Sequence, residues 1–189
     1  MSDASPGQDL SVLQRTAWIR FAIVAHGIPA ELNSRLLADA QIGQFEFLVL
    51  NHLNLSEGRS MSMSRLGVLM AASPSRLSHV VARLEADGRV RRSRSNDDKR
   101  VVVATLTDRG VELFRSTAPG YFAAVRELFF DRLDDADLAD LDRLMKKVLP
   151  AVDGGGILAP LADQVGAGQL HAADATPATE QPADRRMPT

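Results

Sequence analysis

Five residues at helical spacing, Ser75, Arg76, Ser78, His79 and Arg83, put two hydroxyls, an imidazole and two guanidiniums on a segment with no acid before Glu85. An ordinary solvent face mixes Lys with Glu, so that neighbouring turns pair their charges. These side chains instead offer donors and acceptors suited to base edges and phosphate oxygens. Ser73 stands just before them. A second polar and basic group follows at Arg92, Arg94, Asn96, Asp98, Lys99 and Arg100. From Arg59 to Arg100, ten Lys or Arg face four acids, a surplus of six positive charges in a chain of net charge −2. One basic face on a near-neutral chain points to a polyanionic partner; the plainer alternative is a solvated basic surface.

Other chemistries find little support. The chain has no cysteine, which removes disulfides, thiolate catalysis and Cys-based zinc sites. His26, His52, His79 and His171 are scattered without metal-ligand spacing, so neither a metal nor another cofactor is expected. There is no Gly-rich phosphate loop, no GxSxG elbow and no convincing carboxylate pair, and an enzyme is not expected. Asp134, Asp135, Asp137 and Asp140 read as charges at a helix start. No run of 18 apolar residues suggests a membrane span, and the acidic, polar start lacks the pattern of a secretory signal. The cytoplasm is the expected location.

The elements that must position the polar groups follow from periodicity. Leu10, Leu13, Ala17, Phe21 and Val24 share a helical face over 10–26, after which Gly27 and Pro29 should interrupt or kink the chain. A second piece, about 30–40, carries Leu32, Leu36 and Leu37. Phe45, Leu48, Val49 and Leu53 mark another helix from Gln44 to Leu53, followed by the polar break "NLSEGRS". A short helix capped by Ser62 or Ser64 runs to Ser73-Pro74, a cap with proline at the first helical position. The next helix buries Leu77, Val80, Val81 and Leu84 and stops at Gly88. Two short helices joined by a tight break, the second polar on its outer face, resemble a helix-turn-helix.

The β-rich runs Arg89–Ser93 and Val101–Thr107 then form a hairpin, and its tip holds Arg94, Asn96, Lys99 and Arg100. A hairpin in this position is a wing. Its basic tip can enter a minor groove while the helix fills the major one. Thr107 or Asp108 should cap a long helix that Pro119-Gly120 bends, and a last helix covers about 135–149. A small winged lobe has limited surface to cover such long apolar helices, so the first and last helices are expected to pack against a second subunit; the alternative is a monomeric helical cap. From Pro150 on, 40 residues include nine Ala, five Gly and five Pro, a composition expected to be disordered, as are residues 1–9.

Over about residues 10–149 the chain resembles the MarR family of bacterial transcription regulators. The likeness rests on "QIGQFEFLVLNHL", "SMSRLGVLMAASPSRLSHVVARLEADGRVRRS" and "DDKRVVVATLTDRG", the last being the most specific through Asp98, Lys99, Arg100, Leu106, Thr107 and Gly110. The resemblance implies a mainly α fold with a small β-wing. A winged helix-turn-helix lobe (about 44–107) would sit on an α-helical dimerisation base (about 10–40 and 108–149). It further implies a homodimer on a pseudo-palindromic duplex DNA operator, often a repressor released by a small aromatic or phenolic ligand. Arg100 would enter the minor groove, Asp98 would brace the basic residues around it, and Ser75, Arg76, Ser78 and His79 would face the major groove. Trp18, Phe21, His26, Phe45, His52 and Tyr121 are the aromatic residues that could line an effector pocket. His79 departs from a frequent arginine and Gly67 from a common alanine. The alternative is a winged-helix module that binds protein rather than DNA.

Overall fold

The first helix, α1 (Val12–Ala40), begins at a capping box in which Ser11 accepts the Gln14 N–H and Gln14 returns a bond to the Ser11 N–H. This is a computed structural model, and it describes residues 10–95, 98–153, 156, 158–160 and 163. Contrary to expectation, Gly27 and Pro29 do not split the segment, and α1 is one helix of 29 residues. Proline removes a single helical hydrogen bond, and the capped turn before it and the buried turns after it hold the helix together. Only Leu32 and Leu36 of α1 are buried, so its first half projects from the lobe with its apolar residues uncovered. Gln41 ends it in the left-handed conformation at φ 56°.

α2 (Gln44–Asn54) lies at the centre of the molecule, in contact with α1, α5 (Asp108–Leu128) and α4 (Pro74–Ala86). Phe47, Val49, Leu50 and Leu53 are fully buried there, whereas Phe45 and Leu48 are only half-buried. The spacing of Phe45, Leu48, Val49 and Leu53 thus located one edge of the buried arc. A helix packed on several sides buries more than a single stripe. Phe47 stacks with Phe114 at 5.7 Å and meets Tyr121 at a tilt, 4.2 Å between ring centroids, which fixes α2 on α5.

A three-residue strand absent from the sequence expectation, β1 (Ser60–Ser62), precedes α3 (Met63–Leu69). It joins β2 (Val90–Arg94) and β3 (Val102–Leu106) in an antiparallel sheet of order β1-β3-β2. Ser60 pairs with Thr105, and Val90 with Leu106. The sheet, α3 and α4 close over Leu66, Leu77, Val81, Leu84, Val90 and Ala104.

The wing root and the long helix meet at a tight joint. Thr107 caps α5 by accepting the Gly110 N–H (3.1 Å), and its hydroxyl donates to the Gly88 carbonyl (2.7 Å). Gly88 itself adopts φ 70°, the stop expected after α4. α5 continues unbroken through Pro119 and is followed by α6 (Asp135–Val148), whose capping box links Asp134 and Asp137. Among the described residues, no helix is long and apolar enough to cross a membrane.

Candidate nucleic-acid interface

Ser73 caps α4 by accepting the Arg76 N–H at 3.3 Å, with Pro74 at the first helical position. The helix then divides sharply. Leu77, Val81 and Leu84 are buried, while Ser73, Ser75, Arg76, Ser78, His79 and Arg83 are all exposed. Helical spacing places Ser75 and His79 opposite the buried stripe, with Arg76 and Arg83 along one flank and Ser78 and Glu85 along the other.

Each flank is tied to a neighbouring element. On the α2 side, the Arg76 guanidinium lies 4.4 Å from the centroid of Phe45. Arg83 Nη2 is 3.1 Å from Glu46 Oε1, and the Glu46 side chain is only 7% exposed against 61% for Arg83. The other oxygen of Glu46 accepts the Gly43 N–H at 2.8 Å and so caps α2. On the wing side, Glu85 accepts the Arg92 backbone N–H (2.9 Å) and its Nε–H (2.8 Å). These bonds hold the Glu85 carboxyl below the usual carboxylate range.

The wing carries exposed Arg94, Lys99 and Arg100, none of which pairs with a carboxylate among the described residues. Asp98 accepts the Arg100 backbone N–H at 2.8 Å, so it braces the turn through the main chain. Asn96 lies outside the described residues. Of the predicted DNA-facing side chains, then, Arg83 and Arg92 are engaged with carboxylates and Ser73 serves as a cap. Ser75, Ser78, His79, Arg94, Lys99 and Arg100 are presented outward, and Arg76 lies on a ring. The roles of Phe45 and Glu46 beside α4 were not foreseen. Glu46 does stand three residues after Gly43, a capping-box spacing, yet nothing in that spacing foretells its contact with Arg83.

The six aromatic candidates for an effector pocket do not come together. Trp18 and Phe21 pair at 5.9 Å on the uncovered part of α1, and they are 63% and 50% exposed. His26 is exposed, with its Nδ1 at 2.7 Å from the Ala22 carbonyl. Phe45 lies under Arg76, and Tyr121 lines a cavity of about 460 Å³ between α1 and α5. His52 lines a different and larger one, about 1020 Å³, with Met61, Phe114 and Phe122. Burial holds the His52 imidazole below its usual pKa. Aromatic residue type alone could not tell these environments apart.

A long-helix base carrying a helix-turn-helix and a β-wing defines a class of regulators, and the comparisons agree with it. A family model described as transcriptional regulator SarA/Rot matches residues 32–116. The crystal structure of Sco3205, a MarR family transcriptional regulator from Streptomyces coelicolor in complex with DNA, is 35% identical with a TM-score of 0.74. That match covers 78% of this chain and 92% of Sco3205. AbsC, a MarR family regulator from the same organism, is 33% identical with a TM-score of 0.73, over 77% of this chain and 97% of AbsC. The transcriptional repressor MprA of Escherichia coli K12 is 24% identical over 65% of this chain and 69% of its own length. This chain belongs to the MarR family of transcriptional regulators.

Proposed function

We propose that this chain is a homodimeric, sequence-specific DNA-binding repressor. Two winged lobes (about residues 44–107) sit on a shared base built from about 10–40 and 108–149. The observation that carries the reading is the exposed strip of Ser75 and His79 on α4, flanked by Arg76 and Arg83 and followed by the basic wing. Such a helix fits the major groove, with Lys99 and Arg100 reaching the backbone or the minor groove beside it. The presence of DNA in the Sco3205 structure supports the same partner here, and the description of MprA as a repressor supports the direction of control. A DNA partner is what supports a cytoplasmic location, at the nucleoid, in this reading.

Dimerisation is supported by what one chain leaves uncovered. Leu13, Ile19 and Ile23 of α1 are 78%, 56% and 66% exposed, and α6 buries no residue at all. So many large apolar side chains left exposed on one helix mark an association site. Twofold symmetry then calls for a pseudo-palindromic operator with half-sites about one helical turn apart. The cavity beside His52 and Phe122 is where a small aromatic or phenolic effector would sit. Calorimetry with salicylate-like compounds that gave no heat, together with unchanged DNA affinity, would remove that class of ligand.

The deciding experiment is a gel shift with sheared genomic DNA at two salt concentrations. Binding should weaken steeply as salt rises, because Lys and Arg release phosphate counterions. Absent or salt-insensitive binding would assign the lobe to a protein partner instead.

A further inference from the structure

The first turn of α2 holds two arginines of the recognition helix at once. Phe45 and Glu46 are adjacent, and Arg76 and Arg83 are seven residues apart, two turns along the same flank of α4. Phe45 supplies a ring under one guanidinium at 4.4 Å, and Glu46 supplies a carboxylate against the other at 3.1 Å. Stacking leaves the N–H edges of Arg76 available, and a single bond through Nη2 leaves the other donors of Arg83 for further partners. Arginine side chains in water sample many rotamers, and freezing one opposes binding. Here that ordering is made before any partner arrives.

The turn is itself anchored from behind. The Gln44 N–H donates to Asn33 Oδ1 at 2.9 Å, the Gly43 N–H to Glu46 at 2.8 Å, and Phe47 is wholly buried against Tyr121. Glu46 is 6% exposed and cannot reach a duplex.

We infer that Phe45 and Glu46 are positioning residues for sequence-specific DNA binding: they pre-orient Arg76 and Arg83 on the reading face and touch no DNA themselves. The inference rests on the DNA-binding reading above, and it assigns specificity to a turn outside the helix-turn-helix. Pre-orientation favours the one geometry a chosen base step or phosphate requires, so removing it should cost selectivity more than general affinity.

The test uses the full-length chain and two duplexes: the genomic fragment that wild type selects, and a scrambled duplex of equal length. Glu46→Gln keeps the side chain's shape and an oxygen for the Gly43 cap, but loses the ion pair with Arg83. It should bind the selected fragment roughly tenfold more weakly, the scale of one misplaced charged hydrogen bond. Binding to the scrambled duplex and the salt slope should stay as in wild type, since no cation has gone. Arg83→Ala should instead lower the salt slope by about one. The double variant Glu46→Gln/Arg83→Ala should bind no worse than Arg83→Ala alone, because Glu46 acts only through that arginine.

Full additivity in this cycle, or wild-type selectivity in Glu46→Gln, would overturn the inference. Should Glu46→Gln fail to fold, Phe45→Leu with Arg76→Ala gives an independent cycle, with the same outcomes for and against. Wild type that binds neither duplex would instead sink the DNA-binding reading itself, a result distinct from a failed cycle.

Discussion

Leu84 and Arg76 lie on opposite sides of one helix, and truncating each should damage a different property. Leu84 is fully buried. Leu84→Ala should lose about 2–5 kcal/mol of stability, read by denaturant unfolding. Arg76→Ala gives up only an exposed cation–π contact, on the order of 0.5–1 kcal/mol, yet should relax sequence choice in a binding selection. If the two variants melted alike, the two faces of α4 would be wrongly assigned. His52 gives a pH signature. Its folded pKa is depressed from 6.5, so the stabilisation is complete above that value and is lost as pH falls below it. The melting temperature should therefore fall as pH is lowered through 6.5 and below, with a shallower fall in His52→Gln. The arginines of α4 and the wing were legible in the sequence because helical spacing and a hairpin set them apart from acids. The carboxylates that restrain Arg83 and Arg92 were not, since neither pairing follows a helical i,i+4 rule. Glu46 comes from a helix far upstream, and Glu85 meets Arg92 only once the hairpin folds back.

At the scale of elements, local chemistry was read well wherever it is self-contained. Ser62, Ser73 and Thr107 cap their helices, and Gly88 stops α4, all as their residue types suggest. Ser73→Ala should consequently cost about 1 kcal/mol of stability. The misses have a common cause in partners distant along the chain. α1 survives Pro29 because its later turns are packed, Phe47 is buried because α5 covers it, and β1 exists because β3 offers an edge to Ser60–Ser62. Three residues of Ser-Met-Ser carry no strand signal of their own. The joint at Thr107 also makes a sharp prediction. A Cβ at Gly110 would stand 2.1 Å from the Arg89 carbonyl oxygen and 2.7 Å from Leu106 Cδ1. Backbone cannot swing aside as a side chain can, so Gly110→Ala should destabilise by about 1–3 kcal/mol in thermal unfolding.

For the whole molecule, the uncovered apolar surface of α1 sets the expectation. Sedimentation should find a dimer, and Ile23→Glu should shift it to monomer with loss of operator binding and little change in helicity. A monomeric wild type would remove the shared base from the proposal. Within the chain, the Thr107 hydroxyl on Gly88 and the close approach of Gly110 to Arg89 rivet the end of α4, the root of the wing and the start of α5 into one block. A block cannot retune its own shape to suit a ligand. In a dimer, the two blocks would be free only to splay or close like the jaws of a caliper, so control of such a protein would be exerted on a distance between half-sites and not on the letters that each jaw reads.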